Sequence, residues 1–169
     1  RARQELAEVR ASGETKLEPV TTGNYSTLGI ALSPDGKWMA YSREAMDRRQ
    51  GVYLRNLASG REQRVSDQLG GASMGFTPDS RGLVFSRVDR HGLYQFYSDL
   101  WVVDVESSDL TRLSSGARYR DPSTALQGDW VVYTVNEPGR TSLARSRLVR
   151  DERGRYRLSE KEVLFRPAM

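Results

Sequence analysis

An all-β chain built from repeated four-stranded antiparallel sheets is what the sequence predicts, and three observations carry that expectation. Ser33-Pro34-Asp35-Gly36-Lys37-Trp38-Met39-Ala40-Tyr41-Ser42-Arg43 lines up with Thr77-Pro78-Asp79-Ser80-Arg81-Gly82-Leu83-Val84-Phe85-Ser86-Arg87 at a spacing of 44 residues. A worn third copy, Ala125-Leu126-Gln127-Gly128-Asp129-Trp130-Val131-Val132-Tyr133, puts Tyr133 48 residues after Phe85. Between the copies lie short β-rich runs joined by Gly, Ser and Asp, without the 3.6-residue period of a helix. A recurring unit of this length fits one four-stranded blade of a β-propeller.

Each unit reads as strand A, a Pro-Asp-Gly type turn, strand B, a loop, strand C, a tight turn and strand D. In the turn, proline presets φ, aspartate caps through its side chain and glycine permits the left-handed backbone. Asp35 and Asp79 are therefore expected to be structural. The second strand pair is Val52–Leu57 with Glu62–Val65 in one unit, joined through Ala58-Ser59-Gly60, and Leu100–Val105 with Leu110–Leu113 in the next. Leu6–Val9, Ala11-Ser12-Gly13 and Lys16–Val20 match the second half of a blade. The expected division is residues 1–23 as the second half of a preceding blade, 24–69 and 70–118 as whole blades, and 119–169 as a blade with a basic C-terminal extension, all in one propeller domain. An open arc of about three and a half blades leaves faces and strand edges uncovered, whereas closed propellers have about four to eight. The remaining blades are thus expected from the same chain, of which a sequence opening on Arg1 would be a part, or from a partner.

Composition removes several chemistries. The 169 residues include no cysteine and one histidine, His91. A disulfide framework, a thiolate cluster, a cysteine nucleophile and a two-histidine zinc site are excluded, and neither metal nor cofactor is expected. No apolar run reaches the roughly 18 residues of a membrane helix, and no signal-peptide pattern opens the chain. Basic residues outnumber acidic ones by 26 to 22. The excess sits in residues 140–169, where nine basic side chains face four acidic ones. Without aromatic interleaving or a recognised motif, that end reads as a solvated arginine-rich hairpin, and no nucleic-acid partner is expected.

The repeat, with Asp99-Leu100-Trp101-Val102-Val103-Asp104-Val105 and Leu110-Thr111-Arg112-Leu113, resembles the WD40-like PD40 repeat of TolB-type β-propellers over about residues 6–150. The resemblance implies a TolB-like propeller of the six-bladed type in the bacterial periplasm or cell envelope. It also implies a protein or peptide partner such as an outer-membrane or envelope protein. Similar propellers accompany peptidase domains, where they gate or position substrate. The chain departs from the pattern at Leu126-Gln127-Gly128, which stands where Pro-Asp-Gly is expected, and after Val149.

Catalytic motifs are weak. Gly71-Ala72-Ser73-Met74-Gly75 spells G-x-S-x-G, but Phe76-Thr77-Pro78-Asp79 follows it where a nucleophile elbow needs a helix. His91 lies in the longest B–C loop, Arg87 to Asp99, with Asp89 nearby, and a general base would need both a partner and a pocket. Asn24-Tyr25-Ser26 fits a glycosylation sequon that carries little weight in a bacterial protein. Trp38, Trp101 and Trp130 belong to strand runs, so packing is their expected role. The B–C and D–A loops emerge on one face and offer Arg48, Arg49, Arg90, His91, Tyr94, Tyr97, Arg118, Tyr119 and Arg120, with Tyr25 nearby. Arginine and tyrosine are enriched at tight interfaces, while solvation or pairing with Asp47, Asp89 and Asp121 is the plainer role. The expected function is a non-catalytic scaffold that binds a protein or peptide in an envelope assembly. The alternative is the accessory propeller of a larger peptidase or hydrolase whose catalytic domain lies outside these residues.

Overall fold

The computed structural model describes residues 19–21, 25–44, 50–68 and 70–167. The expected half-blade over 1–23 falls almost wholly outside the described residues, as do Arg48, Arg49 and Asn24. Among the described residues there is no helix, and the strands form three antiparallel sheets.

The first sheet holds β1 (Ile30–Leu32), β2 (Trp38–Arg43), β3 (Gly51–Asn56) and β4 (Glu62–Ser66), paired in sequence order. The second holds β5 (Gly70–Phe76), β6 (Gly82–His91), β7 (Gln95–Asp104) and β8 (Leu110–Arg112), again in order. The third holds β9 (Tyr119–Thr124), β10 (Trp130–Glu137), β11 (Arg140–Arg150), β12 (Tyr156–Leu158) and β13 (Glu162–Phe165). Its outer edge differs from the simple A-B-C-D pattern. The long β11 pairs with β12 along Leu148–Arg150 and with β13 along Leu143–Arg145, so strand D is split in two.

Inner strands β1, β5 and β9 lie side by side, which sets the sheets face to face as successive blades. Period-two alternation then buries one side of each strand against the blade before it and the other against the blade after it. Leu83 and Phe85 face the first blade, packed with Ala40, Val52 and Leu54. Val84, between them in sequence, faces the third blade with Leu100, Val102, Val131, Tyr133 and Val135. Leu54, Leu83, Val84, Phe85, Leu100 and Val102 are all fully buried, each worth roughly 1.5–3 kcal/mol of transfer free energy. Burial also pushes the Tyr133 hydroxyl up to about 12, although Ser146 receives or gives a hydrogen bond there at 2.8 Å.

The turns repeat the same chemistry. Asp35 Oδ1 accepts from the Ser33 hydroxyl at 2.6 Å and the Lys37 N–H at 3.1 Å, and Asp79 Oδ1 accepts from the Thr77 hydroxyl at 2.5 Å and the Arg81 N–H at 3.1 Å. The following residue is left-handed in all three copies, with φ of 71° at Gly36, 62° at Ser80 and 79° at Gly128. C–D turns are likewise organised by their first residue: Asn56, Asp104 and Asp151 each accept two backbone N–H groups two to four residues on.

A second shared device is the arginine at the sixth position of strand B. Arg43 lies 4.2 Å from the Tyr53 ring centre and Arg87 lies 3.6 Å from that of Trp101, each over the aromatic of strand C. Glu62 completes the first arrangement, bonded to both Arg43 and the Tyr41 hydroxyl, and Asp89 completes the second.

Candidate functional site

Antiparallel order puts the A–B and C–D turns at one end of the blades and the B–C and D–A connections at the other. At the second end the segment expected as a long loop is strand. β6 and β7 pair continuously from Gly82–Asp104 to His91–Gln95, and β2 and β3 pair from Trp38–Asn56 to Arg43–Gly51. Since Arg87 corresponds to Arg43, the second blade carries four further residue pairs, a projection of about 14 Å. The correction has a physical basis: Val88, Phe96 and Tyr97 are good strand residues, and the Gly92 φ of 64° closes a tight turn.

The base of this hairpin is fixed by a buried carboxylate. Asp99 is 0% exposed. Its Oδ2 accepts from Arg112 at 2.6 Å and the Gly116 N–H at 3.0 Å, and its Oδ1 accepts from the Ser114 hydroxyl at 2.9 Å and the Ala117 N–H at 3.1 Å. His91 Nε2 lies 2.8 Å from Asp99 Oδ2 and 2.9 Å from an Arg112 guanidinium nitrogen, so the histidine is held against β7 and β8. Two residues before His91 on β6, Asp89 accepts from Arg87 at 2.8 Å and from the Trp101 indole at 2.6 Å. Burial alone would raise the Asp99 carboxyl, but Arg112, Gly116, Ser114 and Ala117 outweigh it and hold the group below the usual carboxylate range.

The residues expected at a binding face separate into groups. His91, Tyr97 and Arg118 come together: the His91 and Tyr97 rings are 5.5 Å apart, and Arg118 sits 4.3 Å from the Tyr97 ring centre. Arg90 braces the tip, donating to the carbonyls of Gly92 at 3.1 Å and Leu93 at 2.9 Å. Tyr94 is at the tip and 89% exposed. Tyr119 packs against the core, its ring 4.5 Å from that of Tyr133. Arg120 is exposed on β9, paired across the sheet with Thr134. Tyr25 lies on the far side of the first blade under Arg43. Arg48 and Arg49 are outside the described residues.

Sequence reasoning missed Asp99, Arg112 and Ser114, and it missed Leu93 and Phe96, which stand 71% and 64% exposed beside Tyr94. Two signals were present. A carboxylate heading an apolar strand needs donors if it is buried, and apolar residues around a glycine turn have no core to enter. Ser73, the serine of the G-x-S-x-G letters, donates to the Pro122 carbonyl at 3.2 Å, while His91 is committed to Asp99.

No family model matches the chain, and no curated protein matches it. Solved structures do. One assigned to TolB from Agrobacterium tumefaciens shares 23% identity at a TM-score of 0.64, covering 86% of this chain and 51% of that one. The β-propeller domain of the Trilobed protease from Pyrococcus furiosus matches at 14% identity and a TM-score of 0.62, covering 83% of this chain and 43% of that one. Porphyromonas gingivalis dipeptidyl peptidase 4 matches at 13% identity and a TM-score of 0.59, over 86% of this chain and 27% of that one. The chain spans about half the length of the TolB structure. At these identities the likeness is one of fold, and the fold is that of a TolB-like β-propeller with four-stranded blades.

Proposed function

We propose that this chain is a non-catalytic propeller scaffold that engages a protein or peptide partner of the bacterial envelope through its loop face. The observation that carries the reading is the projecting β6–β7 hairpin. Leu93, Tyr94 and Phe96 lie exposed at its tip, and Arg90 and Asp99 hold the tip and base in one conformation. Preorganised apolar and aromatic side chains surrounded by arginine are what a tight interface uses, because ordering costs are low before contact is made. The envelope location rests on the likeness of fold to TolB.

Replacing Leu93, Tyr94 and Phe96 together by serine is expected to weaken partner capture from an envelope extract by at least about tenfold. Folding stability should stay within about 0.5 kcal/mol, because the three side chains make no core contacts. Undiminished capture by the triple variant, with an unchanged melting curve, would remove the loop-face reading. Charge reversal of Arg90 and Arg120 should also reduce capture, and Arg90→Glu additionally frees the Gly92 and Leu93 carbonyls.

A second reading, a propeller that accompanies a peptidase domain, is favoured by the likeness of fold to the Trilobed protease propeller and to dipeptidyl peptidase 4. A hydrolase domain encoded in the same reading frame would decide for it.

A further inference from the structure

We infer that Arg118 receives an acidic side chain of the partner, a proposal that rests on the loop-face reading above and names the chemistry of what binds there. A pairing repeated through the fold points to it. Arg43, Arg87, Arg112, Arg145, Arg147 and Arg150 each lie over an aromatic ring, and each also pairs with a carboxylate of the chain at 2.6–3.1 Å. The ring takes a face of the guanidinium and leaves the in-plane N–H groups for the anion, so stacking and carboxylate pairing are compatible on one side chain. Arg118 has the first half of this arrangement without the second. Its guanidinium sits 4.3 Å from the Tyr97 ring centre, and no carboxylate among the described residues pairs with it. Asp121, close by in sequence, accepts from the Thr134 hydroxyl at 3.1 Å.

The backbone is bent to place this side chain. Arg118 has a φ of 58°, whereas the other non-glycine residues at positive φ among the described residues are Ser80, Ser108 and Asp121, all with short polar side chains. A long side chain gains nothing locally from the left-handed conformation, which glycine would adopt at no steric cost. The bend is fixed on both sides of Arg118. Asp99 accepts from the N–H groups of Gly116 and Ala117 at 3.0 and 3.1 Å, and the Arg118 carbonyl accepts from the Asn136 N–H at 3.0 Å. With backbone and ring both holding it, the guanidinium is ordered before contact, and a carboxylate meets it at little further entropic cost. Tyr97 stands three residues from the exposed Tyr94, roughly 10 Å of extended chain. A partner segment lying along the hairpin would therefore carry its acidic residue about three positions from an apolar one.

The test uses the 169-residue chain and two probes. One is a capped threonine hexapeptide that carries a glutamate and, three positions on, a phenylalanine; the other has glutamine in place of the glutamate. Binding is followed by the side-chain Nε–H resonance of Arg118, assigned through Arg118→Gly. The glutamate peptide should move that resonance and bind about tenfold more tightly than the glutamine peptide. Arg118→Gly suits the left-handed backbone and removes only the guanidinium, so it should bring the two peptides to equal affinity. Serine at Leu93, Tyr94 and Phe96 should instead weaken both peptides alike. No binding of the glutamate peptide, an unmoved Arg118 resonance, or a preference that survives in Arg118→Gly would each overturn the proposal. Partner capture separates it from the reading it rests on. Capture that falls in the serine variant and stays the same in Arg118→Gly would sink the Arg118 assignment alone, and capture that falls in neither would remove both.

Discussion

Replacing Asp99 with alanine is expected to lower folding stability by about 3 kcal/mol, read from urea unfolding at pH 7. The carboxylate has no exposed surface, and it accepts from Arg112, Ser114 and the N–H groups of Gly116 and Ala117. Alanine strands all of these donors at once. The two N–H groups would each lose an acceptor in a half-buried loop, at about 1–3 kcal/mol if water does not replace it. Arg112 is 34% exposed and can rehydrate, which keeps the expected loss at the lower end of the range for a broken buried pair. Asp99→Asn retains an acceptor oxygen and should lose less. A loss below about 1 kcal/mol for Asp99→Ala would mean that the D–A loop is held by other contacts.

Acid provides an independent check on the same group. The Asp99 carboxyl is held below its ordinary range when folded. Its charge therefore contributes stability that is fully present above the unfolded value of about 3.9 and is lost as pH falls through the folded value. The difference in unfolding free energy between the native chain and Asp99→Ala should be level from pH 7 to about 5 and shrink below about 4. A difference that grew on acidification would contradict the assignment. Asp35, Asp104, Glu137, Asp151 and Glu162 are also depressed, so the native chain itself loses stability over the same range, and only the difference isolates Asp99.

The parts of the fold legible in the sequence are those decided locally. Ser33–Arg43 and Thr77–Arg87 form turn and strand because proline, aspartate and a left-handed residue fix the turn within four positions, whatever surrounds it. The hairpin extension is not local in this sense. Asp89, Arg90 and His91 look like loop residues, and they become strand because they pair with Tyr97, Phe96 and Gln95, while Asp89 bonds the half-buried Trp101 and His91 the buried Asp99. Asp99 announces a need for donors, but Gly116 and Ala117, 17 and 18 residues further on, are brought to it only by closure of the D–A loop. The roles of Arg43 and Arg87 depend on strand register, which sets them over Tyr53 and Trp101. The split of the last strand into β12 and β13 follows from the length of β11, and no repeat signal precedes it.

Gly29→Ala is expected to destabilise the chain by about 2–3 kcal/mol, a large penalty for one methyl group. The cause is the approach of inner strands toward the propeller axis. A Cβ on Gly29 would stand 2.1 Å from the Gly71 carbonyl oxygen and 2.7 Å from that of Ala72, and backbone atoms cannot yield unless β5 moves. The same crowding recurs one blade on, where a Cβ on Gly75 would stand 2.5 Å from Thr124 Oγ1, a hydroxyl already bonded to the Phe76 carbonyl at 2.6 Å. Gly75 is thus required by strand proximity and Gly71 by its left-handed backbone, with a φ of 71°, which accounts for the two glycines of the G-x-S-x-G letters without a nucleophile. Gly36→Ala separates this cause from backbone conformation. Its φ is 71° and its Cβ would touch nothing, so only the left-handed penalty of about 1 kcal/mol should appear. Equal losses for the two variants in urea unfolding would mean that conformation, not contact between blades, sets the cost. A Gly29→Ala chain as stable as the native one would mean that β1 and β5 can separate without loss, and the blades would then lack the tight axis that aligns their loop face.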